Sequence, residues 1–183
     1  TELYQEGLII PPLKLVERDR IDQKVVTLLC RNVRTPEERR GDLEAQIACA
    51  RLGGKRLLEI VEKYGLDEAR QQMQRLIAYS EALTRETIHR IPDGRYEFED
   101  FLDDDGLSQE PVKIRVEVVV EEDTLTADFA GSSPASPGPV NAVLAVTESA
   151  VLYVVLCIAG EAVPANHGCR APLKIVVPRD SVV

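Results

Sequence analysis

The apolar periodicity of the chain changes at Ile91-Pro92-Asp93-Gly94, and this break constrains the fold more than any other feature. Before it, Leu66, Ala69, Met73, Leu76, Ser80, Leu83 and Thr87 recur at alternating steps of three and four, one side of a helix. After it, Val112, Ile114, Val116, Val118 and Val120 alternate with Lys113, Arg115 and Glu117, as in a strand with one buried face. Tyr96 and Phe98 alternate in the same way with Arg95, Glu97 and Glu99. Beyond the polar connection Glu121-Glu122-Asp123, Leu125, Ala127 and Phe129 continue the inward face. A meander of three antiparallel strands is expected.

Upstream, a helical pattern runs from Asp22 to about Asn32. Thr35-Pro36-Glu37-Glu38 then marks a helix start, with Thr35 as N-cap, Pro36 at the first position and acids in the first turn. That helix reaches Tyr64 and stops at Gly65. Gly53-Gly54, with Ala45, Ala48 and Ala50, predicts close packing against another helix. Downstream, the run DFAGSSPASPGPVNA (128–142) leads into an apolar helix from about Ala142 to Ala159, with Cys157 expected in the core. A strand over Leu173–Val177 closes the pattern. The fold class is α+β: a long helical hairpin, an antiparallel β-meander, then a loop–helix–strand unit. Residues 1–92 form the mainly helical segment and 93–183 the mixed one, both parts of a larger subunit.

Net charge is −9, which speaks against nucleic acid or an anionic membrane as partner, because phosphates need a basic surface. No run of about eighteen apolar residues could span a bilayer, and no basic region leads into an apolar signal stretch. Cys30, Cys49, Cys157 and Cys169 lack CxxC spacing, so reduced thiols in a cytoplasmic protein are expected and a zinc site is not. The chain opens TELYQEGLIIPPLKL without Met and stops soon after LKIVVP, as an internal piece of something longer would.

Three turns collect polar groups. Asp103-Asp104-Asp105-Gly106 could hold a divalent cation, but its spacing is not that of a calcium loop, and an exposed turn is expected. In 128–142, Asp128, Ser132, Ser133 and Asn141 gather just ahead of a helix that carries Thr147. Prolines at 134, 137 and 139 stiffen this loop, which is either an anion-favouring helix N-terminus or an ordinary connector. It holds neither GxxxxGK[ST] nor GxGxxG, so no nucleotide site follows from pattern. Asn166-His167-Gly168-Cys169 raises a thiol–imidazole pairing, against which stands a structural loop.

Taken in order, GDLEAQIACARLGGKRLLEIVEKYG, IPDGRYEFEDFLDDDG, DFAGSSPASPGPVNA, TESAVLYVVLCI and PANHGCRAPLKIVVPRDSVV resemble the middle part of the B subunit of the hydantoinase/5-oxoprolinase family. EGLIIPPLKL and NVRTPEERRGDL extend the resemblance to the N-terminus. It implies a multisubunit, ATP-dependent hydrolase that opens cyclic amides such as hydantoins (N-methylhydantoinase type) or 5-oxoproline. An assembly module without chemistry of its own, or a piece of a related ketone carboxylase, is the alternative. In this family ATP and a divalent cation are held by the A-type partner, so no cofactor is expected in this stretch. Related carboxylases hold a metal in His- and Asp-rich motifs of a longer N-terminal region, which have no counterpart in these residues. The partners implied are the hydantoinase A-type, ATP-binding polypeptide and a small cyclic amide, within an oligomer. Residue by residue, the resemblance reaches Asp128, Ser132, Ser133, Asn141, Thr147, Asn166 and His167 as site candidates. By itself the chain is expected to hydrolyse neither ATP nor hydantoin.

Overall fold

The structure, a computed structural model, describes residues 9–160 and 163–183. The chain divides into two compact units, Thr1–Ala69 and Arg70–Val183. In the first, a short hairpin of β1 (Val16–Glu17) and β2 (Arg20–Ile21) turns through Arg18 and Asp19, at φ of 47° and 65°. Two successive left-handed residues give the tight turn that matches strand twist. Asp22 then caps α1 (Gln23–Arg31), its carboxylate accepting the amides of Lys24 and Val25.

The long helix α2 (Pro36–Tyr64) starts and stops where its signals predict, ending at Gly65 with φ 85°. Thr35 stands at the N-cap position but makes no side-chain cap bond. None of the 29 residues is buried, and Leu52, Leu57, Leu58 and Ile60 are exposed. The close packing expected at Gly53-Gly54 is absent among the described residues, where nothing lies within 4 Å of a Cβ built at either glycine. The apolar residues of α2 are scattered around its axis, so they form no single stripe that a neighbour could cover.

The second unit is a sheet with helices on one face. Its strands are β3 (Gly94–Leu102), β4 (Val112–Glu121), β5 (Thr124–Asp128) and β6 (Leu173–Val176), in that spatial order. The first three are antiparallel, as the alternation predicts, with Tyr96 opposite Val118 and Phe98 opposite Val116. β6 joins β5 in parallel. A parallel neighbour needs a crossover, here made by α4 (Leu144–Ala159) and the 3-10 turn His167–Arg170. The architecture is α+β.

Ile88, Val120, Leu125, Ala127 and Val155 form the core, with Val116, Val118, Phe129, Val151 and Leu173 against it. The opposite sheet face is charged, where Arg115 pairs with Glu97 and Glu117, and Arg95 with Glu117. Ile88 comes from α3 (Leu66–His89), whose buried side is rotated from the expected one. Ser80, Thr84 and Ile88 are fully buried, whereas Met73 and Leu76 are exposed. Around Ser80, Gly168 lies against the main chain of α3 at Ile77 and Glu81, a close approach that a small side chain permits, whereas Ile88 is buried against the sheet core.

The apolar helix α4 departs further from expectation. Within it only Thr147 and Val155 are buried, and Cys157 is exposed rather than in the core. Apolar on all sides, it meets the sheet along one strip through Val151 and Val155, while Tyr153, Val154 and Ile158 remain open. Between that open side and the sheet lies an apolar groove of about 420 Å³, bordered by Tyr96, Val116, Phe129 and Val154. No helix among the described residues is long and apolar enough to cross a membrane.

Candidate functional site

Residues 128–142 leave β5 and return to the sheet as a braced loop. Phe129 donates its amide to the Val176 carbonyl at 2.9 Å, prolonging the β5–β6 pairing by one step. Asp128 accepts the Ala130 amide at 2.8 Å, which turns the chain, and Gly131 follows at φ 92°. The left-handed backbone favours glycine there, and a Cβ would also crowd the Arg115 side chain, whose Cδ would lie 3.2 Å away. Arg115 itself donates to the Ala130 carbonyl at 2.9 Å.

The two serines then fasten the loop to the main chain of β4. Ser132 Oγ accepts the Arg115 amide and donates to the Arg115 carbonyl, both at 3.0 Å. Ser133 Oγ accepts the Lys113 amide at 2.9 Å, and the Ser133 amide donates to the Lys113 carbonyl at the same distance. On the other side the Ser133 carbonyl accepts the Val182 amide at 3.0 Å, and Ala135 donates to the Asp180 carbonyl at 2.7 Å. The segment therefore lies as a strand-like ribbon between the start of β4 and the last residues of the chain. Both hydroxyls act as backbone surrogates here.

Asn141 closes the far half. Its Oδ1 accepts the Ser136 amide at 2.8 Å, and its Nδ2 donates to the Ser136 carbonyl at 2.7 Å and to the Gly138 carbonyl at 3.3 Å. α4 starts at Leu144, so Asn141 faces back into the loop rather than capping the helix. Thr147, in the first turns of α4, is buried. The amides of residues 132, 133, 135, 136 and 138 all donate within the protein, so the loop offers shape rather than a row of free N–H donors.

A residue set aside by sequence reasoning organises this half. Asp105, expected in an exposed turn, is buried at 5% exposure. Its Oδ2 accepts the Ser136 hydroxyl at 2.6 Å, and its Oδ1 accepts the amides of Leu107 at 2.9 Å and Ser108 at 2.7 Å. The Ser136 hydroxyl, followed by the Ser108 and Leu107 amides, holds the carboxyl well below the usual carboxylate range. Ser136 Oγ in turn accepts the Gly138 amide at 2.8 Å. A Cβ at Gly138 would fall 2.0 Å from the Asp105 carbonyl oxygen, so the two loops touch through main chain. The available signals were the glycine between two prolines and three acids beside a glycine, which mark two tight turns but not their pairing.

Asn166 and His167 lie at a second place, on α3. Asn166 Nδ2 donates to Ser80 Oγ at 2.7 Å and its Oδ1 accepts the Gly168 amide at 2.8 Å. Ser80 donates to the Pro164 carbonyl at 2.8 Å, and Cys169 Sγ to the same oxygen at 3.4 Å. Cys169 is fully buried while His167 is exposed, so the two do not form a nucleophile–base pair. Among the described residues no hydrogen bond joins this cluster to 128–142. The nearest tie is the ion pair of Arg170 with Glu148, the residue after Thr147. No group of three His, Cys, Asp or Glu among the described residues could hold a metal ion.

The family model for hydantoinase B/oxoprolinase matches residues 1–183. A protein described as a D-/L-hydantoinase B subunit, from Pseudomonas sp. (strain NS671), is 36% identical over 99% of this chain and 32% of its own length. 5-oxoprolinase 1 of Arabidopsis thaliana is 28% identical over 98% of this chain and 16% of its own. In fold, the crystal structure of ATP-dependent caprolactamase from Pseudomonas jessenii is similar over 99% of this chain and 31% of that one, with TM-score 0.85 and 25% identity. The chain thus spans a third or less of each of these relatives.

Proposed function

Because this chain belongs to the hydantoinase B/oxoprolinase family, we propose that it is the central part of a B subunit in an ATP-dependent hydrolase that opens cyclic amides of the hydantoin or 5-oxoproline type. The observation that carries this reading is likeness in fold, at TM-score 0.85 over 99% of the chain, to an ATP-dependent caprolactamase. Lactams, hydantoins and 5-oxoproline share one reacting group, a ring amide whose carbonyl carbon must be attacked and whose C–N bond must break. ATP and its divalent cation belong to an A-type partner in the cytoplasm, since this chain carries no phosphate-binding loop. By resemblance to related carboxylases, rather than from any group in this chain, a metal of such assemblies belongs to His- and Asp-rich motifs of a longer N-terminal region.

In this reading the 128–142 loop supplies part of the wall of the substrate cleft in the assembled enzyme. Asp128, Ser132, Ser133 and Asn141 act through the backbone they hold, and Thr147 is buried in the first turns of the helix behind them. Asn166 and His167, at the 3-10 turn packed on α3, form a separate candidate group, in which the His167 imidazole is exposed. Rigid walls matter because a misplacement of about 1 Å can cost on the order of 10²-fold in rate. The test is cyclic-amide-dependent ATP hydrolysis by the intact B subunit with its A-type partner, using hydantoin, 5-oxoproline and caprolactam. Absence of ring opening with all three overturns the reading. Ser133→Ala and Asn141→Ala are expected to lower kcat/KM by about 10-fold or more; values within about threefold, roughly 0.6 kcal/mol, would make the loop a plain connector.

A second reading, an assembly module without chemistry of its own, is favoured by α2, which buries none of its residues and exposes Leu52, Leu57, Leu58 and Ile60. In that case Leu57→Glu with Leu58→Glu releases the A-type partner, and the loop substitutions leave turnover intact.

A further inference from the structure

We propose that Asp105 is a positioning residue for the reaction: it clasps Ser136 and so sets the conformation of the 136–142 half of the wall loop. The inference rests on the cyclic-amide reading above and deepens it. Three observations carry it. Asp105 is a carboxylate at 5% exposure, and its two oxygens divide their work. Oδ1 shapes its own turn through the Leu107 and Ser108 amides, whereas Oδ2 reaches 31 residues along the chain to the Ser136 hydroxyl at 2.6 Å.

Ser136 is the hub of the other loop. Its hydroxyl accepts from Gly138, its amide donates to Asn141 and its carbonyl accepts from Asn141. One hydroxyl proton therefore couples a buried charge to the bonds that shape residues 136–141. Finally, Gly138 sits so close to the Asp105 carbonyl oxygen that a Cβ would be 2.0 Å away, and the loops cannot slide past each other without losing that fit. A charged acceptor holds a hydroxyl more strongly than a neutral one, which suits a clasp that must keep one geometry while substrate and phosphate come and go.

The experiment uses the intact B subunit assembled with its A-type partner and supplied with ATP and the cyclic amide it opens. Asp105→Asn and Ser136→Ala are each expected to lower kcat by about tenfold or more while KM moves less than about twofold, since placement and not binding is lost. The double variant is expected to be no slower than either single one, because both break the same bond. Ser136→Thr, which keeps the hydroxyl, restores most of kcat, and Asp103→Asn removes the same charge from the same acidic run without effect. Amide hydrogen exchange at Ser136 and Gly138 is expected to quicken in Asp105→Asn and to stay slow in Ser136→Thr. An active assembly in which Asp105→Asn keeps its kcat, or loses it with unchanged exchange at these two amides, overturns the inference and leaves the function standing. A wild-type assembly that opens none of the cyclic amides overturns both, whatever the exchange shows.

Discussion

A side chain at Gly168 would place its Cβ 2.0 Å from the carbonyl oxygen of Ile77, so the 3-10 turn lies directly on the main chain of α3. The contact accounts for a small residue at Ser80, which is fully buried and donates to the Pro164 carbonyl beside the turn. Gly168→Ala must push the turn away from the helix. The expected cost is about 1–3 kcal/mol, as for other overpacked sites. Urea unfolding at constant m-value measures it, and a midpoint equal to wild type would contradict the packing described.

Charge and burial on α3 should separate cleanly. Ile88 is fully buried in the core, and Ile88→Ala is expected to remove about 2–5 kcal/mol. Three residues earlier, Arg85 bonds Glu81 and Asp123 with its side chain 32% exposed. Arg85→Ala is expected to stay within about 1 kcal/mol, because exposed ion pairs are screened and entropically costly. Parallel thermal or urea unfolding of the two variants tests the ordering.

The Asp105 carboxyl gives stability a definite pH dependence. Its folded pKa is depressed, chiefly by the Ser136 hydroxyl, relative to an ordinary value near 3.8. A depressed acid contributes stability that is complete above the unfolded pKa and is lost as pH falls towards the folded one. The wild-type melting temperature should therefore fall as pH drops below about 4. Asp105→Asn should lie lower at neutral pH and show a shallower fall over that window. Parallel curves for the two proteins would remove the carboxylate from the account.

Thiol labelling provides a check on the helices. Cys49 and Cys157 are exposed, Cys30 and Cys169 buried. A maleimide should modify the first two in the native protein and the others only after denaturation, as read by mass spectrometry. Slow native labelling of Cys157 would show that the open side of α4 is covered in solution.

The strands and helix ends were legible because they depend on local chemistry. Alternation from Val112 to Val120, the start at Pro36 and the stop at Gly65 each require only neighbours in sequence. What escaped depends on partners far along the chain. The burial of Ser80 on α3 goes with the approach of Gly168, and the burial of Asp105 with Ser136, 31 residues away. The same holds for the site residues. Ser132, Ser133 and Asn141 were visible as polar groups in a stiff loop, but only the fold shows each of them bonded to main chain. Their hydroxyls and amide looked equally suited to a ligand, since composition does not say where a side chain points.

The parallel pairing of β6 with β5 also fixes an order of events as the chain folds. Residues 94–128 can form their three antiparallel strands from contacts close in sequence, while Leu125–Asp128 waits for Leu173–Val176, which pairs with it across α4 and the 3-10 turn. Distant pairings form late because loop closure must come first. On a ribosome, where the chain emerges from its N-terminus, β5 would stand as a bare strand edge beside an uncovered apolar helix until Leu173–Val176 appears. The nascent protein is thus most prone to aggregate after α4 has left the tunnel and before β6 has, and a pause in synthesis within that interval would lengthen the exposure.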